Sequence, residues 1–418
     1  MKGLLIAAAL GCLAAVLRAA PISTPPAAPH ADERLLEAVK ACQASSRHLM
    51  ERLVAVDSGT GDAEGLASVA SLYETELRAL GAEVRRVAPA VPAVGDNVVA
   101  TWKGSGKGRV LLISHMDTVF GRGDAAKLGP HWEGEHFIGP GAGDDKSGGV
   151  TALCALRALQ SIGYGDFARI DLLLNSSEET GSHGSRDLIR SMARASDLAV
   201  NLERGVPQDR VLVGRKGAAL LTVEFTGRPA HSGLEPEKGR NAVLEAARLA
   251  LELDKLSNAA KQTTVVVDML NGGERINVVP DHAVIKADVR AFTAEEFERV
   301  ERSAQQLAEH PQIQGVTIRS SLQRNFPPWP HNVHADRIVA RANRLYAELG
   351  RNLSMLEVGS SADVAFAAET GTPAIDGFAM EGGGAHTPQD YADFATLIPR
   401  SYLLARLLMD VGHDPSGL

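Results

Sequence analysis

Acidic residues and histidines occur in five short segments of the chain, and several of these segments directly follow an apolar run that is typical of a strand. They are His115-Met116-Asp117, the stretch from Gly143 to Gly148, Glu178-Glu179, Asn201-Leu202-Glu203 and Ala385-His386. Ligands of open α/β sheets bind just beyond the carboxyl ends of the strands, so we expect these side chains to meet at one edge of a sheet. Carboxylates gathered there would repel one another and raise one another's pKa values unless cations lay among them. The pattern therefore predicts a hydrolase site that holds two metal ions.

Each segment has an alternative interpretation when it is taken alone. His115 could be a loop histidine with an acidic neighbour by chance, and Glu178-Glu179 could be an ordinary solvated pair. The glycine-rich stretch before Asp144 could be a simple turn with an aspartate cap. That interpretation does not explain why two adjacent aspartates precede an otherwise apolar helix. A carboxylate that bridges two metal ions would explain one of them.

The composition and the first residues indicate a globular protein that is exported. The 418 residues are 44% hydrophobic and 22% charged, which is enough for a large core and for two or more domains. A lysine at position 2, an apolar run at 3–17 and small residues at 19 and 20 form the layout of a secretory signal peptide, which we expect to be cleaved after Ala19. Acylation of Cys12, as in a lipoprotein, is the alternative. A membrane anchor is not expected, because Arg18 interrupts the apolar run before about 20 residues. We therefore predict a periplasmic or secreted protein with no membrane association after cleavage.

The charge of the chain argues against nucleic acid as a partner. The formal charge is −8, and the loss of Lys2 and Arg18 with the signal peptide makes it −10. No basic run is longer than a pair of residues, so the chain lacks the basic stripe of a nucleic-acid-binding protein.

The chain without its signal peptide keeps two cysteines, Cys42 and Cys154, both inside predicted helices. The sequence permits a disulfide between them but does not require one. Buried free thiols are the expected state.

The order of predicted elements indicates an α/β sheet interrupted by a smaller domain. Strands predicted at 97–101, 110–114 and 170–175 alternate with helices, which favours a mostly parallel sheet with helices on both faces. From residue 216 the pattern becomes β-α-β-β-α-β, which is typical of a split-βαβ, ferredoxin-like sandwich. The α/β pattern returns after Pro327-Pro328. The predicted organisation is a signal peptide at 1–19, a spacer at 20–31, a catalytic domain at 32–215 and 327–418, and an inserted lid or dimerisation domain at 216–326.

The motifs resemble those of the M20 family of zinc aminoacylases and carboxypeptidases, and within it the bacterial glutamate carboxypeptidases of the carboxypeptidase G type. The similar segments cover nearly the whole mature chain and include 114–119, 139–141, 144–146, 178–179, 184–189, 277–280, 287–290 and 405–410. The resemblance implies a zinc-exopeptidase fold with two Zn²⁺ per subunit and a homodimer. Gly359–Asp363 replaces a loop that is richer in glycine and threonine in the carboxypeptidases, so the side-chain preference does not follow from the resemblance.

The resemblance also implies a role for each residue of the predicted metal site. His115 and Glu203 would hold one zinc ion, and Glu179 and His386 would hold the other. The Asp144 carboxylate would bridge the two ions, and its peptide bond to Asp145 would be cis. Glu178 would be the general base, and Asp117 its neighbour behind His115. Mixed nitrogen and oxygen ligands of this kind suit zinc.

Four residues of the predicted inserted domain complete the implied site. His231 corresponds to a lid histidine that steadies the oxyanion, usually across a dimer. Asn277, Arg290 and Arg324 correspond to positions that hold substrate carboxylates, a task that suits the planar guanidinium group. The alternatives are an exposed loop histidine, a turn asparagine and two solvated strand arginines.

Together these observations predict a zinc-dependent exopeptidase that hydrolyses the amide bond to a C-terminal amino acid of N-acyl or peptidyl, folate-like substrates. Glutamate is the expected C-terminal residue. A broader N-acyl amino acid deacylase or a dipeptidase is the alternative, whereas export argues against the biosynthetic deacylases of the family. A catalytically silent binding protein on the same fold is disfavoured, because every implied ligand and the base are present.

Overall fold

A six-stranded sheet forms the centre of the structure, a computed structural model that describes residues 30–418. In spatial order its strands are β1 (Glu83–Val87), β2 (Asn97–Lys103), β6 (Arg169–Asn175), β3 (Arg109–His115), β7 (Leu198–Asn201) and β14 (Ala374–Ile375). Strand β3 runs parallel to β6 and β7, and β7 runs parallel to β14. Strands β1 and β2 extend one edge in antiparallel fashion. The predicted α/β sheet is confirmed, with this antiparallel edge added to it.

Helices cover both faces of this sheet, because its central strands are apolar on both sides. In β3, Val110 and Leu112 pack into one core, whereas Leu111 and Ile113 pack into the other. The first face carries α1 (Glu33–Ala41), α2 (Gln43–Val54), α3 (Ala63–Ala79), α5 (Ser147–Ser161), α9 (Val333–Tyr346) and α11 (Leu397–His413). The second face carries α6 (Arg186–Arg194) and α10 (Val364–Ala368), and the short helix α4 (Asp124–Leu128) follows β3.

Two small sheets hold loops near the carboxyl edge of the main sheet. Strands β8 (Arg210–Arg215) and β13 (Ser354–Val358) form a parallel pair. The other small sheet has the order β15 (Gly382–Gly383), β16 (Tyr391–Asp393), β5 (His136–Ile138) and β4 (His131–Glu133). The loop between β15 and β16 carries His386.

A second, four-stranded antiparallel sheet lies between β8 and α9 in the chain. In spatial order its strands are β10 (Thr264–Gly272), β11 (His282–Ala291), β9 (Gly217–Thr226) and β12 (Thr317–Phe326). Helices α7 (Ala242–Asp254) and α8 (Ala294–Glu309) pack on one of its faces around a separate core. The predicted β-α-β-β-α-β order is confirmed. The domain boundaries given above stay predictions.

The structure joins Cys42 and Cys154 in a disulfide, which corrects the expectation of free thiols. Cys42 lies where α1 ends and α2 begins, and Cys154 lies in α5. The helices pack so that the two Cα atoms are 5.6 Å apart, within the usual range for a disulfide. The sequence alone does not show that these helices face each other at these two positions.

Some predictions concern the chain before residue 30. The signal peptide at 1–19, the acylation alternative at Cys12 and nearly all of the spacer at 20–31 lie outside the described residues. Within residues 30–418, none of the helices is both long and apolar enough to span a bilayer.

Candidate active site

His115 is the last residue of β3, and its imidazole is buried at the carboxyl edge of the main sheet. Its Nε2 atom lies 3.2 Å from Asp144 Oδ1 and 3.7 Å from Glu203 Oε1. Its Nδ1 atom lies 2.9 Å from the backbone oxygen of Asp117. A proton on Nδ1 that is donated to this carbonyl leaves the lone pair on Nε2, which is the form of histidine that binds metal ions. His115 is therefore oriented as a ligand.

A tight loop between β5 and α5 carries Asp144. Gly141 in this loop has a φ of 73°, and the peptide bond between Asp144 and Asp145 is cis, as the family resemblance implies. A Cβ atom at Gly143 would lie 2.5 Å from the backbone oxygen of Tyr391. Only glycine fits there, so the glycine-rich sequence lets the loop pass close to β16 before it presents the aspartate.

Asp144 lies between the two histidines of the site. Its Oδ1 atom is 3.2 Å from His115 Nε2, and its Oδ2 atom is 3.5 Å from His386 Nε2. Arg204, which the sequence analysis did not single out, approaches the same Oδ2 atom at 3.4 Å. A carboxylate with one oxygen directed at each histidine is placed as a bridging ligand would be.

Glu178 and Glu179 form a short 3-10 turn after β6, and the buried carboxylate of Asp117 holds this turn in place. Asp117 accepts hydrogen bonds from the backbone N–H of Glu178 at 3.0 Å and of Glu179 at 3.2 Å. The hydroxyl of Thr60 donates a third bond at 2.6 Å. Asp117 Oδ1 also lies 3.4 Å from His115 Nδ1. Asp117 therefore positions both glutamates as well as the histidine, and the sequence analysis predicted only its place behind the histidine.

The acidic and histidine side chains gather into two groups of three. The first group is His115, Glu178 and Glu203, and the second is Asp144, Glu179 and His386. Within each group the atoms that could bind a metal ion lie within 4.8 Å of one another. The predicted pairs, His115 with Glu203 and Glu179 with His386, each fall within one group. We call these six residues together with Asp117 the acidic cluster.

The carboxylates of the acidic cluster cannot all ionise easily without cations among them. The pKa of Glu203 is raised to about 8 and the pKa of Glu178 well above its usual range. Burial is the largest cause of both increases, and neighbouring carboxylates contribute to them. Burial also opposes ionisation of Asp144, but hydrogen bonds with His115 and His386 outweigh it and lower the pKa of this carboxyl. Divalent cations would stabilise the ionised form of these carboxylates, and the mixed nitrogen and oxygen donors fit zinc.

Arg215, at the end of β8, is a buried cation beside the acidic cluster. Its Nη2 atom lies 3.8 Å from Glu203 Oε2, and its Nε atom lies 2.5 Å from Asp376 Oδ2. Its Nη1 atom donates to Ser360 Oγ at 2.8 Å. Arg215 thereby connects a predicted metal ligand to the loop 359–363. The sequence analysis missed it, because an arginine at the end of an apolar strand is usually solvated.

Asp363, the last residue of the loop 359–363, holds this loop against the residues around the turn Glu178–Glu179, which we call the glutamate turn. This buried carboxylate accepts hydrogen bonds from Asn175 Nδ2 at 2.7 Å and from the hydroxyl of Ser182. Asn175 ends β6, and Ser182 follows the turn that contains Glu178 and Glu179. The loop 359–363 is thus fixed on both sides of the acidic cluster.

His231 and Asn277 lie together at the far end of the inserted sheet. The N–H of Ser232 donates to the backbone oxygen of Asn277 at 3.0 Å, and both predicted residues are exposed. They lie near the start of β11 at His282, whereas Arg290 lies near its other end. At about 3.3 Å per residue these two positions are roughly 26 Å apart. Within one chain the structure therefore does not bring His231 and Asn277 to the acidic cluster.

Arg290 and Arg324 lie on opposite faces of the inserted sheet, so within one chain they do not face the same side of it. They pair with consecutive residues of β9, and consecutive strand residues point to opposite faces. Arg290 Nη1 donates to Ser361 Oγ at 3.1 Å, toward the catalytic domain. The guanidinium of Arg324 instead lies 5.9 Å from the ring centroid of Phe297 and 3.7 Å from Glu301, both in α8.

Comparison with known families matches two parts of the chain. Residues 213–316 match the family model of a peptidase dimerisation domain, M20_dimer. Residues 97–237 match peptidase family M28, and this segment contains every residue of the acidic cluster except His386.

Individual proteins resemble the chain over nearly its whole length. This chain is 34% identical, over 96% of its length, to carboxypeptidase G2 of Pseudomonas sp. (strain RS-16), and it covers 97% of that protein. Among solved structures, an M20 family metallo-carboxypeptidase of Sulfolobus solfataricus has a TM-score of 0.69 at 17% identity, with 91% of this chain and 100% of that chain covered. The aminopeptidase PepT of Bacillus cereus also has a TM-score of 0.69, at 22% identity and with 91% and 99% covered. The two structures share the fold with this chain.

Proposed function

The chain belongs to the M20 family of metallopeptidases, and from this premise we propose that it is a di-zinc exopeptidase that removes a C-terminal glutamate from N-acyl or peptidyl, folate-like substrates. The family makes it a metallo-exopeptidase. The number and kind of metal ions and the preferred residue are the proposal. The observation that carries it is the convergence of two groups of three possible ligands, with Asp144 directed at a histidine of each group.

The metal ions would be bound by the predicted ligands of the acidic cluster, namely His115, Glu203, Glu179, His386 and the bridging Asp144. When bound, they would polarise the scissile carbonyl and lower the pKa of the attacking water. Asp117 and Glu178 are the two acidic residues of the cluster outside this ligand set. Asp117 accepts hydrogen bonds from the backbone N–H groups of the turn at 178–179, which leaves Glu178 as the base. Glu178 would take the proton from the water and pass it to the leaving nitrogen.

A broader N-acyl amino acid deacylase or dipeptidase is the second candidate function. The loop 359–363 favours it, because this loop carries Ser360 and Ser361 where the glutamate carboxypeptidases have more glycine and threonine. A catalytically silent binding protein is disfavoured, since the ligands and the base converge in two groups whose possible ligand atoms lie within 4.8 Å of one another in each group.

We propose that a second copy of the chain brings His231 and Asn277 to the site. The match to a peptidase dimerisation domain supports an assembly through the inserted sheet. Strand β10 is an edge strand of that sheet and exposes the apolar side chains of Val266, Met269 and Leu270. Exposed apolar residues on an edge strand are typical of a surface that pairs with another chain.

Mixing two inactive variants tests this assembly. Glu178→Gln removes the base of its own site, and His231→Ala removes the histidine that its subunit lends to the partner. Mixed dimers should regain activity, because one site then has both an intact base and an intact histidine. Mixed dimers that are shown to form but stay inactive would contradict the sharing of His231.

Export remains a proposal that the disulfide supports. Disulfides such as Cys42–Cys154 persist in secreted and periplasmic proteins and are rare in the reducing cytosol. We propose a periplasmic or secreted protein, and N-terminal sequencing of the protein recovered outside the cytoplasm would test the cleavage after Ala19.

A substrate panel tests the proposed activity. One acyl group is joined to Glu, Asp, Ala, Leu and Lys, and the glutamate substrate is also prepared with its α-carboxylate amidated. We expect the glutamate substrate to have the highest kcat/KM and the amidated form to fail, because the partly buried guanidinium of Arg290 would then face a neutral amide in place of a carboxylate. Faster turnover of the alanine or leucine substrate would favour the broader deacylase or dipeptidase, and turnover of the amidated substrate would contradict the exopeptidase.

A further inference from the structure

Basic and hydroxyl side chains border the acidic cluster on the side of the inserted sheet. Ser361 donates its hydroxyl to the backbone oxygen of Lys216 at 2.8 Å and accepts a hydrogen bond from Arg290 Nη1 at 3.1 Å. Its neighbour Ser360 accepts from Arg215 at 2.8 Å. We call these five residues the basic wall. It joins the loop 359–363 to the junction of β8 and β9 and to the end of β11.

Lys216 is the member of the basic wall whose charge is not paired. Arg215 has Asp376 as its partner, and Arg290 has Asp288 at 2.8 Å. Among residues 30–418, Lys216 Nζ has no carboxylate oxygen within 4.0 Å. Partial burial lowers the pKa of Lys216, and the charge of the nearby Arg290 lowers it further. A bound anion would offset the repulsion between the charges of Lys216 and Arg290.

Lys216 lies next in the chain to a residue that contacts the acidic cluster, and its ammonium group lies toward Arg290. Lys216 directly follows Arg215, whose guanidinium lies 3.8 Å from Glu203. Its Nζ atom is 5.8 Å from the ring centroid of Phe292, two residues after Arg290. The side chain therefore extends from the β8–β9 junction toward Arg290.

We propose that Lys216 determines specificity by binding the side-chain carboxylate of an acidic C-terminal residue, while Arg290 binds the α-carboxylate of the same residue. This proposal rests on the exopeptidase function proposed above. Glutamate carries two carboxylates on one short chain, so two neighbouring cations can each bind one of them. Arg324 cannot be the second cation within one subunit, because it faces α8. Lys216 takes the place that was expected for Arg324.

Two substrates that differ only in one charge test the proposal. The same acyl group is joined to glutamate and to glutamine, both with a free α-carboxylate, and kcat/KM is measured for the wild type and for Lys216→Met. The wild type should prefer glutamate by about 10- to 100-fold, the effect expected of a charge-assisted hydrogen bond. Lys216→Met should reduce this preference to about threefold or less, mainly by losing activity on glutamate, and Lys216→Arg should retain much of it.

Lys286→Met is the matched control. Lys286 lies on the same strand and the same face as Arg290 and is exposed, but it is four residues away, or roughly 13 Å. Its replacement removes the same charge from the same sheet and should leave the preference for glutamate unchanged.

Three results would overturn the proposal. An equal loss on both substrates in Lys216→Met would show a general or structural role, and an unchanged preference would show that Lys216 does not contact the side chain. A wild-type enzyme that hydrolyses both substrates at equal rates would also overturn it, while the exopeptidase function would stand. If the wild type hydrolyses neither of these substrates nor any other member of the panel, the proposed function itself fails.

Discussion

Replacement of Asp117 by asparagine should impair both catalysis and stability, although Asp117 is neither a proposed metal ligand nor the base. The carboxylate is fully buried and accepts from Glu178 N, Glu179 N and the Thr60 hydroxyl. An asparagine has one acceptor oxygen and one NH₂ group in the same space. Whichever way the amide turns, its NH₂ group faces a backbone N–H of the glutamate turn, and at least one buried donor loses its partner.

The size of the effect follows from these contacts. A buried unpaired donor costs about 1–3 kcal/mol, and hydrogen bonds to a charged acceptor are worth about 1.5–3 kcal/mol each. Asp117→Asn should therefore lower the free energy of unfolding by roughly 2–4 kcal/mol. It should also lower kcat by about 100-fold, because a shift of about 1 Å in a catalytic group has an effect of that order. Thr60→Val is the control, since it removes one donor but leaves the carboxylate and both backbone bonds.

Urea unfolding, metal analysis and kcat at saturating zinc would be measured for both variants. Thr60→Val should lose about 1 kcal/mol of stability and less than about tenfold in kcat. If Asp117→Asn keeps kcat within about threefold of the wild type, or behaves like Thr60→Val, then Asp117 does not hold the glutamate turn in place.

Three further predictions concern the base, the metal-free protein and the disulfide. Glu178→Gln should lower kcat by about 100-fold or more with the metal content unchanged, whereas Glu179→Gln should lose metal; the reverse pattern in metal analysis would exchange their roles. In the metal-free protein the pKa of Glu203 is raised from 4.5 to about 8, so the folded state binds its proton more tightly than the unfolded state does. Stability should then fall as the pH rises from about 5 to 8, and added zinc should remove most of that fall; equal stability of the chelated protein at both pH values would contradict this. Reduction of Cys42–Cys154, which are 112 residues apart, should lower the free energy of unfolding by about 3–5 kcal/mol in urea titrations, and two reactive thiols in the untreated, denatured protein would show that no disulfide forms.

The position of the acidic cluster could be predicted from the sequence, because strand ends in an α/β sheet meet at one edge. His115 ends β3, and the glutamate turn follows β6. The strands are apolar enough to be recognised, and the glycines before Asp144 mark the loop that carries it. The β-α-β-β-α-β order of the inserted sheet could be predicted for the same reason, since its alternating pattern differs from that of the main sheet.

Contacts that depend on register and on packing between distant segments could not be predicted. Arg290 and Arg324 look alike in the sequence, and only their pairing with β9 shows that they face opposite sides. The second role of Asp117 depends on backbone N–H groups, which no residue type reveals. The disulfide and the buried Arg215 likewise depend on which helix or loop packs against them.

The proposed function requires that the ligands in each group of the acidic cluster bind one zinc ion and that catalysis depends on both ions. To test this requirement, zinc is added in steps to chelated protein, and activity, bound metal and the positions of anomalous scattering in the crystal are recorded. We expect no turnover without metal, full activity at two zinc ions per chain, and one anomalous peak at each group with Asp144 between them. Full activity in protein that elemental analysis shows to be free of divalent metal, or zinc bound away from His115 and His386, would contradict it.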